Sequence, residues 1–217
     1  MSSPHPQSLG SRAIAFFDGQ NLFHCAMEAF GYTYPNYDVH ALATTVCKAQ
    51  GWVLAETRFY TGVPSAEEDP FWHNFWNAKL AQMGRMMTVV FRRPLRYSEI
   101  KIPGTKDQYV KKAREKGIDV RIALDMVRAA REARGNILLV FSQDQDLTEA
   151  VDEVKQISRA NRLNIRIASA FPYSVTTKNE RGIEKTDWIK IDKQTYDACI
   201  DPTDYRTYSA PPPPTLR

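Results

Sequence analysis

The sequence predicts an α/β fold in which a mostly parallel central sheet carries helices on both faces. Three observations lead there. Short apolar runs suited to doubly buried strands alternate with stretches whose apolar residues recur at helical spacing. Turn residues, chiefly Gly and Asp, separate the two kinds of segment. At 217 residues with 43% hydrophobic and 25% charged side chains, the chain holds enough apolar material for one substantial core.

The elements follow in order. Arg12 to Phe17 (RAIAFF) reads as the first strand and ends at Asp18-Gly19. Leu22, Cys25, Ala26 and Ala29 then form a helical stripe that Gly31 stops. Val39, Leu42, Ala43 and Val46 form a second stripe, followed by the strand-like WVLAETRFY. Phe71, Phe75 and Ala78, beside Trp72, Trp76, Leu80 and Met83, make a broad apolar helix face, and MMTVVF reads as the third strand. Prolines and charges break any period from Arg92 to Gly117. Val120, Ala123, Leu124, Val127 and Ala130 give the next helix, with Asp119 as its expected N-cap. Asn136 to Phe141 (NILLVF) is the fourth strand, Leu147 to Ile157 a helix, and Asn164 to Ala168 a further strand. Trp188 and Ile189 belong to a late strand or helix. Such alternation implies crossover units and a parallel sheet. One domain over 11–200 is expected, with a disordered tail at 1–10 and a proline-rich, exposed tail at 201–217.

The net charge of +4 is unevenly distributed. From Arg85 to Arg134 there are 14 Lys or Arg against six Asp or Glu, so this stretch carries +8 and the remainder −4. Arg92, Arg93, Arg96, Lys101, Lys106, Lys111, Lys112, Arg114 and Lys116 lead directly to Asp119. A charge run is ordinarily a solvated face. A basic approach ending in acids is also what a site needs if it collects a polyanion and holds a cation against its phosphates.

Four acidic clusters supply those acids: Asp18 with Asn21 in FFDGQN, Asp119 in KGIDV, Asp125 six residues on, and Asp144 with Asp146 in FSQDQD. In open parallel sheets, sites form beyond the carboxyl ends of the strands. Asp18 follows the first strand and Asp144 and Asp146 follow the fourth, so both groups belong on one edge. Asp119 opens a helix that feeds back into that fourth strand and can share the edge. Two carboxylates about 4 Å apart repel by roughly 4 kcal/mol at an intermediate dielectric, so a gathered cluster calls for Mg²⁺ or Mn²⁺.

Each acid also has a plain structural account. Asp18 in DGQN suits a strand-to-helix turn and cap, and Asn21 suits a cap, although three residues apart both can face one site. In SQDQDL, Ser142 and Asp144 can cap the following helix and Asp146 can complement its dipole, which explains one acid better than two. On a continuous helix, Asp125 points away from Asp119. Lys116 is either a surface lysine or a phosphate contact three residues before Asp119.

Other chemistries lack their residues. There is no GxGxxG or GxxxxGK[ST] motif. A phosphatase of the haloacid-dehalogenase type needs a second Asp where Gln20 stands. His5, His24, His40 and His73 stand singly, and Cys25, Cys47 and Cys199 form no CxxC pair, so buried thiols are expected rather than a disulfide or zinc site. No apolar run approaches a membrane span and MSSPHPQSLGSR has no signal-peptide core, so a cytoplasmic protein is expected, with no membrane partner.

DGQN after the first strand, KGIDV followed by ALDM, SQDQDL after a central strand, and TDWIKID near the end together resemble the NYN domain of the LabA-like group, relatives of PIN and flap-type nucleases. The likeness spans Arg12 to Asp192. It implies a PIN-like, three-layer α/β/α sandwich with an acidic pocket on one sheet edge. It also implies Asp18, Asp119, Asp144 and Asp146 as catalytic metal-binding acids, with Asn21, Lys116 and Asp125 at positions often associated with the pocket.

The implied reaction is hydrolysis of a phosphodiester with bound Mg²⁺ or Mn²⁺. Lys116, Arg92, Arg93 and Arg96, with Lys111 and Lys112 of the same basic stretch, would track the nucleic-acid backbone, and Tyr97 or Tyr109 would stack on bases. RNA is the first choice of substrate and DNA the second. In place of the family's usual SGDGDF or SGDSDF, this chain has bulkier glutamines at Gln143 and Gln145 and Leu147 for the aromatic. A nucleic-acid-binding or regulatory protein without turnover, and an enzyme acting on a small phosphate ester, therefore stay open, as does a homo-oligomer.

Overall fold

The computed structural model describes residues 10–101 and 108–207. Strand β1 (Arg12–Asp18) leads into α1 (Gly19–Phe30), then α2 (Val39–Ala49), β2 (Val53–Val63), α3 (Pro70–Arg85) and β3 (Val89–Pro94). Next come β4 (Arg96–Lys101), β5 (Tyr109–Arg114), α4 (Ile118–Arg131) and β6 (Ile137–Phe141). A 3₁₀ turn at Gln145–Leu147 precedes α5 (Thr148–Ala160), β7 (Arg166–Pro172), β8 (Asp187–Ile191) and α6 (Lys193–Asp197). The segments from 1 to 9, from 102 to 107 and from 208 to 217 lie outside the described residues. They include the expected N-terminal tail, Lys106 of the basic stretch, and the proline run.

Six strands form one parallel sheet in the order β3-β2-β1-β6-β7-β8. The expected three-layer α/β/α arrangement is what the chain adopts. Alternation along the two central strands divides the core. Ala13, Ala15, Phe17, Ile137, Leu139 and Phe141 face the layer of α1, α2, α3 and α6. Ile14, Phe16, Leu138 and Val140 face α4 and α5. All are buried, which is why RAIAFF and NILLVF read as continuous apolar runs. Each fully buried Ile, Leu, Val or Phe among them contributes about 1.5–3 kcal/mol relative to exposure. Phe17 and Phe141, partners across the β1–β6 ladder, stack with ring centroids 3.9 Å apart, setting the level at which both strands end.

Three features go beyond the sequence reading or revise it. The stretch from Arg92 to Gly117 contains an antiparallel hairpin, β4–β5, outside the main sheet. The third strand starts at Val89, since Met87 has φ 62° and Thr88 N–H bonds back to Met83. Finally, packing continues past residue 200. Tyr205 is buried among Phe75 and its neighbours. The fully buried Lys79 ammonium donates to the Asp201 carboxylate at 2.9 Å and to the Tyr37 carbonyl at 2.8 Å. Burial pulls the Lys79 pKa down while Asp201 opposes the shift. A buried ammonium without its carboxylate is costly, so residues 201–207 belong to the folded unit.

Candidate active site

Asp18 ends β1 and caps α1, with one carboxylate oxygen accepting the Asn21 N–H at 3.2 Å. The other accepts the Ser142 hydroxyl at 3.2 Å. Ser142 follows β6, and its oxygen accepts the Asp144 N–H at 3.0 Å, so the adjacent strand ends hold two acids through one hydroxyl. Asp144 then accepts the Asp146 N–H at 3.0 Å and caps the 3₁₀ turn.

The third acid comes from α4. Gly117 adopts a left-handed conformation (φ 74°), where a Cβ would also lie 2.7 Å from the Arg93 guanidinium, so a glycine is required before Ile118. Asp119 is therefore the second residue of the helix, not its N-cap as expected. Its charge lies in the first turn, where the helix dipole favours it.

Asp18, Asp119 and Asp144 line one pocket of about 320 Å³ together with Glu115, Lys116, Gly117 and Ile118. Glu115 was not anticipated. Embedded in KKAREKG, it looks like one more exposed charge of a basic run. In the fold it is half-buried, and its carboxylate accepts the Gly62 N–H. Burial, with the Asp18 charge adding to it, pushes the Glu115 carboxyl up to about 7. Burial also pushes Asp18 up to about 6, against its hydrogen bonds from Asn21 and Ser142 and with smaller contributions from Asp144 and Asp119.

The donor set suits a hard cation, since four carboxylates open on one pocket and the charges of Asp18 and Glu115 are costly without one. Among the described residues, however, no three Asp, Glu, His or Cys side chains already sit together as a cage.

Other expected site residues lie elsewhere. Asn21 turns from the pocket, its side-chain oxygen accepting the Gln143 N–H at 2.9 Å, which makes it a clamp on the acidic loop. Asp146 is exposed and does not line the pocket. Asp125 is buried on α4, where one carboxylate oxygen accepts from the Tyr60 hydroxyl at 2.9 Å, Arg121 at 3.0 Å and Arg58 at 3.1 Å. With the helix starting at Ile118, six residues carry Asp125 away from Asp119, and it pins α4 to β2 instead.

Of the basic residues, Lys116 lines the acidic pocket. Arg92 and Arg93 line a separate pocket of about 510 Å³ with Asn77, His73 and Ser65. Arg92 donates to Asn77 at 2.7 Å. Register in the hairpin puts Arg96, Lys112 and Arg114 on one exposed face. Lys111 lies on the other face and pairs with Glu68 at 2.6 Å. Tyr97 also faces inward, its hydroxyl accepting the Ser65 N–H at 3.3 Å, so it is no free stacking platform, whereas Tyr109 is exposed near the hairpin end.

The two glutamines stitch the acidic loop to the β7–β8 connection. The Gln143 amide donates to the Asn179 and Arg181 carbonyls at 3.0 and 2.8 Å. The Gln145 amide donates to Gly182 at 3.0 Å and accepts from Glu184 N–H at 3.1 Å. The loop is held rather than open, as the bulk of glutamine suggests. Cys25, beneath it, donates to Gln143 at 3.0 Å, and all three cysteines are buried thiols.

This assembly of acids at the ends of β1 and β6 and the start of α4 coincides with a match to the NYN domain over residues 12–175, most of the chain. The chain belongs to the NYN domain family. The NYN family has a PIN-like nuclease fold, and the parallel six-stranded sheet agrees with it. No curated protein matches this chain. A crystal structure of a protein of unknown function from Vibrio parahaemolyticus is similar, with a TM-score of 0.52 and 18% identity over 88% of this chain and 98% of that one. That likeness shows the fold alone. Among the described residues of this NYN protein, no helix is long and apolar enough to cross a membrane.

Proposed function

We propose that this NYN protein, of the LabA-like group, is a divalent-metal-dependent nuclease that hydrolyses phosphodiester bonds of RNA, with single-stranded DNA as a second substrate. The observation that carries the reading is the convergence of Asp18, Asp119, Asp144 and Glu115 on one pocket that Lys116 also lines. The four carboxylates would hold Mg²⁺ or Mn²⁺. Such an ion, when bound, activates water and stabilises charge on the leaving oxygen. Lys116 binds a phosphate oxygen at the pocket. Ser142 ties the Asp18 carboxylate to the backbone of Asp144, and Asn21 with the two glutamines keeps the loop in that geometry. The basic face of Arg96, Lys112 and Arg114 attracts the backbone of the polymer.

A second reading, binding without turnover, is favoured by two observations. Both Asp18 oxygens are already engaged, and the described residues contain no preformed three-ligand cage. One experiment separates the two. Labelled mixed-sequence RNA and its DNA equivalent are incubated with Mn²⁺, Mg²⁺ or EDTA, using wild type and Asp144→Asn. Metal-dependent products that disappear in the variant support the nuclease. Salt-sensitive binding with no product under either metal sinks it in favour of the second reading.

A further inference from the structure

Next to the acidic pocket lies a groove of about 280 Å³. Glu115 lines both, as the wall between them. Gln20, Phe23 and His24 present one face of α1 to the groove, and Trp72 and Trp76 of α3 line it as well. Gly62 forms part of its lining, where any Cβ would run into the Leu95 and Glu115 side chains. Phe23 and Trp72 are only half-buried, so aromatic surface is left open to a ligand. Pro64 is shared with the pocket of Arg92 and Arg93 on the far side. Acidic pocket, aromatic groove and arginine pocket therefore form one continuous series at the same sheet edge.

We propose that this series is a track for single-stranded nucleic acid, in which one base stacks in the groove on Phe23 and Trp72 while the phosphate on its far side meets Arg92, the Arg93 guanidinium being turned to the Lys116 carbonyl at 3.4 Å. The proposal rests on the nuclease reading for what happens in the acidic pocket, and it names the platform that positions the strand there. The order of chemistries repeats that of a nucleotide chain, with phosphate, base and phosphate meeting carboxylates, aromatics and arginines in turn. Gln20 and His24 add hydrogen-bonding groups for a base edge to a lining that is otherwise apolar except at the Glu115 wall. This also moves base stacking from Tyr97, whose hydroxyl is tied to Ser65, to residues on α1 and α3.

The test is binding in EDTA, where no cleavage intervenes. Fluorescence anisotropy compares a labelled single-stranded RNA with the same chain carrying abasic sites. Wild type binds the base-bearing chain about 10-fold more tightly than the abasic one, the loss expected for one stacked base. Trp72→Ala and Phe23→Ala each erase the difference, Trp72→Phe keeps most of it, and Arg92→Ala weakens both chains alike. If wild type binds both chains equally or neither, or if both alanine variants discriminate as wild type does, the groove is not a base site. That outcome is independent of cleavage. Base-dependent binding by a protein that cuts nothing sinks the nuclease reading alone. Metal-dependent cleavage without base dependence sinks the groove alone. Should Trp72→Ala fail to fold, Phe23→Ala on the opposite helix still decides the matter.

Discussion

The Ser142 hydroxyl donates to Asp18 at 3.2 Å and accepts the Asp144 N–H at 3.0 Å, so one side chain fixes acids 126 positions apart in the chain. Its loss should be felt in chemistry more than in stability. Ser142→Ala is expected to lower cleavage about 10- to 100-fold, as for groups that orient metal-binding side chains, with about 1 kcal/mol of stability lost. The Ser142 bond also lowers the Asp18 pKa, so without it the acid limb of the pH–rate profile moves to higher pH. An unmoved limb would contradict this role.

Asp18 burdens the metal-free fold. Its carboxyl holds a proton up to about pH 6 when folded but sheds it near 3.8 when unfolded. Folding thus takes up a proton between those values, and stability falls as pH rises through the window. Asp18→Asn, which retains a capping side chain, should be more stable than wild type in EDTA at about pH 7.5, by up to ~3 kcal/mol. The advantage should vanish below about pH 4. Urea denaturation at both pH values checks it, and Mn²⁺ should narrow the gap at the higher pH by stabilising only wild type.

Asp125 makes the opposite prediction. Breaking its buried pairing with Arg58 and Arg121 should cost about 3 kcal/mol in Asp125→Asn. The fraction that stays folded should cleave at the wild-type rate, since Asp125 does not line the pocket. Activity normalised to folded protein tests this, and a large drop in kcat would return Asp125 to the site.

At the C-terminal end, chains stopped after Thr207 and after Ile200 should differ in thermal midpoint. Stopping after Ile200 strips Lys79 of Asp201 and opens the Tyr205 site, and should lower it by several degrees or abolish folding. Equal midpoints for the two truncations would refute the boundary.

Burial explains how much of this was legible in the sequence. The strands buried on both faces, β1 and β6, announce themselves as apolar runs, and the acids at their ends could be assigned to one edge from the parallel topology alone. The hairpin could not be read because β5 is exposed at all six positions, so no face imposes a period on Tyr109–Arg114. Glu115 was hidden for a related reason. Its burial depends on a close approach to Gly62, 53 residues earlier, which no local pattern encodes. The pairing of Asp125 is illegible because an acid on a helix carries no mark of whether an arginine and a tyrosine from a distant strand, here Arg58 and Tyr60, will meet it.

The central placement of β1 has a consequence for synthesis. Its parallel partner β6 begins at Ile137, 124 residues beyond the Ala13 it pairs with, and between them the chain must complete four helices and four strands. Contacts so distant in sequence form late, after shorter loops have closed. A chain still on the ribosome can therefore fold α1, α2, β2 and α3 against β1 while its acids remain apart, and it becomes a complete nuclease candidate only after Asp144 has emerged. The lining of the acidic pocket is therefore completed from its C-terminal side, by the last of its residues to leave the ribosome.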